Sequence, residues 1–124
     1  MLLRYLLALL LIFTFKVSAQ QTITQQQLLS NQMSKHPYTI IDVRSAEEFA
    51  TGHLKGAINI PFNAIEQHTV LLNKVKSDQL VVYCRSGRRA GIFIDALQGK
   101  GFNLLHLEGD MNGWLGAKLP VLKN

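Results

Sequence analysis

The sequence has a single cysteine, Cys84, so no disulfide can close within the chain and the thiol is not a structural staple. Its four histidines, His36, His53, His68 and His106, lack the spacing of metal ligands, and neither a metal nor a cofactor is expected. Gly99-Lys100 is no phosphate-binding loop: Gly101 stands where Ser or Thr is needed, and Ile94 where the first glycine would be. Internal repeats, low-complexity tracts and a linker that would split a domain are all missing. The one long apolar run, Tyr5 to Phe15, ends at Lys16, well short of the roughly 20 residues that cross a bilayer.

That run, with Arg4 before it and Val17-Ser18-Ala19 after it, instead has the pattern of a secretory signal peptide cleaved after Ala19. Residues 1–19 are then a leader, and residues 20–124 form one small domain with a modest core. The expected destination is the periplasm, an oxidising compartment, with no stable membrane anchoring after cleavage. Of the 13 Lys and Arg in the chain, Arg4 and Lys16 leave with the leader, so 11 remain against 8 Asp and Glu. Setting aside Arg85, Arg88 and Arg89 brings that excess of three to zero. The surplus positive charge is no larger than one loop, which suits a small anion at a site. A nucleic-acid or membrane surface needs a spread-out basic patch.

The remaining chain alternates apolar strands with capped helices. Thr24 and Gln27 form a capping box, with Ile23 and Leu28 spaced as a hydrophobic staple, and a short helix follows to about Met33. His36-Pro37 ends it, and Tyr38 to Val43 is the next strand. Ser45 and Glu48 repeat the capping box for a helix that Gly52 closes. Ala57 to Ile60 is a brief strand stopped by Pro61. Asn63 with Glu66 is expected to cap a third helix that buries Ile65, Leu71, Leu72 and Val75. Leu80 to Tyr83 is a strand, Arg88 to Gln98 a helix with Ile92, Ile94 and Leu97 apolar, and Leu104 to Leu107 the last strand. Asp110 is expected to cap a final helix through Trp114, itself a core residue. The fold class is α/β: three layers, with a mostly parallel central sheet and helices on both faces.

The chemistry concentrates in Cys84-Arg85-Ser86-Gly87-Arg88-Arg89, between the strand Leu80 to Tyr83 and the helix that follows. A strand-to-helix loop points backbone N–H groups at one spot, and the helix dipole adds partial positive charge there. Gly87 lets that loop turn tightly. A lone cysteine closing an apolar strand also reads as a core thiol. Three flanking cations, however, favour thiolate over thiol and suit an anionic substrate. The other polar residues read as structural: Asp42 and Arg44 hold a strand end and loop, Glu47 and Glu48 suit a helix N-terminus, and the histidines carry no chemistry.

In combination these residues resemble the rhodanese family. Ile41-Asp42-Val43-Arg44, Glu48-Phe49 and Gly52 to Pro61 are similar to its first signature; Val82-Tyr83-Cys84 and the arginine-rich loop are similar to its active-site loop. Leu107-Glu108-Gly109, Gly113-Trp114 and Leu119-Pro120-Val121 resemble its closing segment. With a leader and one domain, the chain resembles the small exported rhodaneses of the phage-shock type. The resemblance implies a sulfurtransferase, expected to be a monomer: thiosulfate or a similar donor loads sulfane sulfur onto Cys84, and cyanide or a thiol removes it. Arg85, Ser86, Gly87, Arg88 and Arg89 are then the substrate-binding loop, with Arg89 and Arg85 first for the sulfonate end. One departure is Asp110, where the family often has a second glycine. Two further readings stay open: a binding or redox-sensing module on the same fold, and a phosphatase. For the latter the loop is one residue short, since Arg89 comes early and Ala90 sits where an arginine is wanted.

Overall fold

The computed structural model describes residues 20–123, together with Ile12. The expected leader lies outside these residues, apart from Ile12. Five strands form one sheet: β1 (Thr22–Ile23), β2 (Thr39–Asp42), β3 (Ile58–Asn59), β4 (Gln79–Tyr83) and β5 (Asn103–Leu107). Their order is β1-β5-β4-β2-β3, and every pairing is parallel. The helices are α1 (Gln25–Gln32), α2 (Ala46–Thr51), α3 (Thr69–Val75), α4 (Arg88–Leu97) and α5 (Asp110–Gly116). A parallel sheet needs crossovers, and these put apolar helices on its faces.

Each central strand therefore buries both sides, one residue to each face in turn. Along β4 and just beyond it, Leu80, Val82 and Cys84 enter one core, with Ala90, Phe93, Ile94 and Leu97 of α4 and Leu72 of α3. Val81 and Tyr83 enter the other, with Leu28 of α1 and Met111 and Trp114 of α5. This is the α/β layering that the alternating pattern implies. The period of two also decides where the sulfur goes: Cys84 continues the α4 side of the sheet.

Local chemistry explains most element ends. Both capping boxes form: Thr24 accepts from the Gln27 N–H at 3.1 Å while Gln27 accepts from the Thr24 N–H at 3.0 Å, and Ser45 exchanges the same pair of bonds with Glu48. The staple residues Ile23 and Leu28 share a core. Two expectations, on Asn63 and Asp110, need correction. Asn63 does not cap a helix: Ala64 N–H bonds back to Pro61 O, a turn and a 3₁₀ segment (Glu66–His68) intervene, and α3 starts only at Thr69 without a side-chain cap. In α4 Phe93, Ile94 and Leu97 join the core, while the apolar Ile92 faces outward at 41% exposure. Asp110 does not cap α5 either. Gly109 is the N-cap, and Asp110 is the first helical residue at φ +52°, its carboxylate turned instead toward the end of β4.

Candidate active site

The loop 84–87 leaves the C-terminal end of β4, the strand flanked by β5 and β2 in the sheet. Gly87 turns it at φ +115°, in the left-handed region that glycine tolerates best, and α4 begins at once. No side chain caps α4. Its first N–H groups thus stay available, as do those of the loop: Arg85, Ser86, Arg88 and Arg89 N–H meet no backbone or side-chain acceptor among the described residues. The Gly87 N–H donates to Cys84 Sγ at 3.0 Å. Residue 84 is only 1% exposed, so the sulfur lies against the core at the base of this loop.

The loop is gripped from β5 and α5. Met111 N–H donates to Cys84 O at 2.9 Å and Asn112 N–H to Arg85 O at 3.0 Å. Asp110 Oδ1 accepts from the Cys84 N–H at 3.0 Å and meets His106 Nε2 at 2.9 Å. Sequence reasoning missed this pair. The signal available was a carboxylate where the resembled family often has glycine, four residues after a histidine at a strand end.

The three arginines separate. Arg85 and Arg88 are exposed and make no ion pair among the described residues. Arg89, ranked first for the sulfonate, is instead taken up by Glu48 of α2: its two terminal nitrogens donate to the two carboxylate oxygens at 2.7 and 3.0 Å. That hydrogen bonding holds the Glu48 carboxyl down from 4.5 to about 2, against the opposing effect of its partial burial. It likewise raises the Arg89 guanidinium. Glu48 looked like an ordinary helix-start acid, and a contact across 41 residues leaves no local pattern.

Beside the loop stands a buried scaffold. Arg44 donates to both oxygens of Asp42 at 2.7–3.1 Å and to Gly52 O at 2.7 Å. Tyr83 Oη donates to Asp42 Oδ2 at 2.6 Å and accepts the Leu54 N–H at 3.1 Å. Burial first, and then the Asp42 charge, push the Tyr83 hydroxyl well above its ordinary value, so it remains a donor. Burial pulls the Arg44 guanidinium down, but its bonds to Asp42 outweigh this and the net shift is upward. Asp42 and Arg44 are therefore the strand-end lock that the sequence suggests. His53 stacks on Phe49 at 3.8 Å, bonds its carbonyl at 3.0 Å and pairs through its backbone with Leu122, a structural role. No cluster of potential metal ligands occurs among the described residues. A cavity of about 480 Å³ lined by Gln79, Asn103 and Gln98 opens at the start of β4 and β5, the end of the sheet away from Cys84.

Known proteins bear on this geometry. The chain is 32% identical over 83 residues to thiosulfate sulfurtransferase PspE of Escherichia coli, covering 67% of this chain and 77% of that protein. It is 30% identical over 84 residues to the putative sulfur carrier protein YrkF of Bacillus subtilis, covering 67% of this chain but less than half, 44%, of YrkF. The crystal structure of a rhodanese-related protein from Thermoplasma volcanium superposes with a TM-score of 0.74 at 26% identity, covering 84% of this chain and 99% of that one. The family model described as the rhodanese-like domain matches residues 24–117, from the cap of α1 to the end of α5 and so across the whole loop and its supports. The chain belongs to the rhodanese-like family of sulfurtransferase-related domains.

Proposed function

We propose that the protein is a thiosulfate sulfurtransferase that carries sulfane sulfur as a persulfide on Cys84. The observation that carries this reading is the Cys84 sulfur held by the Gly87 N–H at the start of α4, in a loop whose other N–H groups are uncommitted and which carries two arginines with no ion pair among the described residues. The Cys84 thiolate attacks the outer sulfur of thiosulfate; the S–S bond of the donor breaks and sulfite leaves with the electron pair. Cys84–S–S⁻ remains. Cyanide or a thiolate then takes the outer sulfur and returns the Cys84 thiolate. Substrate, intermediate and leaving group are all anions, so the same amides and helix terminus stabilise each of them. The Gly87 N–H orients the sulfur. Arg85 and Arg88 take the sulfonate end, while Arg89 fixes the start of α4 to α2 through Glu48.

The test is intact mass after incubation with thiosulfate. One added sulfur that a reductant removes supports the reading, and an unchanged mass under conditions where Cys84 can be alkylated overturns it. Cys84→Ser should show neither the added sulfur nor turnover, because a hydroxyl forms no persulfide. We also propose that the protein works as a monomer after export to the periplasm, with the leader removed after Ala19. N-terminal sequencing of the exported protein should begin at Gln20; recovery of Met1 in a membrane fraction would refute this.

A further inference from the structure

The sulfur-transfer steps above make no use of His106 and Asp110, yet the buried Asp110 and the half-buried His106 form a pair against the loop. Asp110 is 4% exposed. Its Oδ1 accepts the Cys84 N–H and meets His106 Nε2. Its Oδ2 lies at the other end of the turn: a Cβ added to Gly87 would stand 3.1 Å from it and 3.6 Å from His106 Cε1. Gly87 is the residue whose N–H holds the sulfur. The carboxylate thus reaches both ends of the loop, from the residue that bears the nucleophile to the residue that orients it.

Asp110 holds this place at φ +52°, where glycine would be unstrained. It also removes the Cys84 N–H from those free to bind an anion. A fixed negative charge under an anion-binding loop acts through a medium of low polarisability and opposes each added charge on an incoming donor. His106 Nε2 is the side-chain partner in contact with it; among the loop arginines, Arg89 is already paired with Glu48, and Arg85 and Arg88 are exposed.

We propose that Asp110 is a specificity-determining residue: its carboxylate, moderated by His106, makes the loop prefer sulfur donors of low charge over the thiosulfate dianion. The favoured class is monoanionic, such as organic thiosulfonates. There the Cys84 thiolate takes the outer sulfur, the S–S bond breaks and a sulfinate leaves with the electron pair. This rests on the sulfurtransferase reading and refines it, naming which donors that site takes best.

The experiment compares thiosulfate with benzenethiosulfonate as donor to the whole protein, cyanide being the acceptor, at one pH and ionic strength. The readout is the ratio of the two kcat/KM values, which a purely structural defect would not move. Asp110→Asn keeps the shape and an acceptor for the Cys84 N–H while removing the charge, and the thiosulfate-to-thiosulfonate ratio should rise about threefold to tenfold. His106→Asn strips the carboxylate of its partner, and the ratio should fall at least about twofold. Asp110→Gly, which accepts φ +52° without strain, should move the ratio in the same direction as Asp110→Asn, and serves if the asparagine variant fails to fold. Variants that scale both donors by the same factor, or a ratio that falls on loss of the charge, overturn the inference while leaving the sulfurtransferase reading intact. An unaltered protein that takes sulfur from neither donor overturns both.

Discussion

Cys84 combines two properties with opposite consequences for reactivity. Its near-complete burial is that of an inert core thiol, whereas the Gly87 N–H and the start of α4 suit a thiolate. Access should therefore be limited by size. Small alkylating reagents such as iodoacetamide should label Cys84 at least tenfold faster than a bulky maleimide, relative to the same pair of reagents on a free thiol; equal relative rates would mean that the loop opens widely. The arginines divide in the same way. Arg85→Ala and Arg88→Ala each remove a charge-assisted contact worth roughly 1.5–3 kcal/mol if it acts fully in the transition state. That corresponds to a loss in thiosulfate kcat/KM of about tenfold to a hundredfold. Arg89→Ala should instead lower activity and stability together, because Glu48 then loses its partner. Stability curves measured beside the kinetics separate the two patterns. A kinetic loss without destabilisation in Arg89→Ala would return that side chain to the substrate.

The elements show why the fold was largely legible and the site only partly so. Capping boxes are local, and both were readable because a side chain three residues away supplies the partner. The corresponding prediction is that Ser45→Ala costs about 1 kcal/mol, measurable as a shift in urea midpoint, and loosens the Glu48 carboxylate that holds Arg89. An unshifted midpoint would show that α2 does not depend on its cap. Strands β2, β4 and β5 were visible as apolar runs, since a sheet covered on both faces leaves no polar alternation. Strand β1 was not, because two residues carry no period and its pairing with β5 spans more than eighty residues. Asn63 had the right residue type for a cap, but Pro61 started a turn first. Asp110 shows the deeper difficulty. Its type suited a helix start, and it does stand at one, but its carboxylate follows a partner on another strand. Cys84, Gly87 and the loop were legible since loop, strand and helix are consecutive; the Glu48–Arg89 and Cys84–Asp110 contacts are tertiary.

At the scale of the whole molecule, the loop is held from three sides: β4 below, α2 through the Glu48–Arg89 pair, and the start of α5 through the bonds to Cys84 and Arg85. The Glu48 pair also links stability to pH. Its folded value of about 2 lies below the ordinary 4.5, so its contribution is fully present above about 4.5 and is lost as pH falls toward 2. Because the pair is partly exposed, the contribution should be no more than roughly 1 kcal/mol and should shrink with salt. Urea midpoints followed from pH 6 to pH 2 should fall less steeply in Glu48→Gln than in the unaltered protein, the two curves converging at the acid end. Parallel curves would mean that the pair contributes nothing.

The last support of the loop has an optical consequence. Trp114 is the chain's only tryptophan; it is 1% exposed, its indole N–H bonds Pro120 O at 2.9 Å, and it sits on the helix whose first turn grips Cys84 and Arg85. Its emission is therefore a single-site, label-free reporter of whether α5 is seated. A red shift that precedes the loss of far-ultraviolet dichroism during denaturation would reveal the site coming apart before the sheet does.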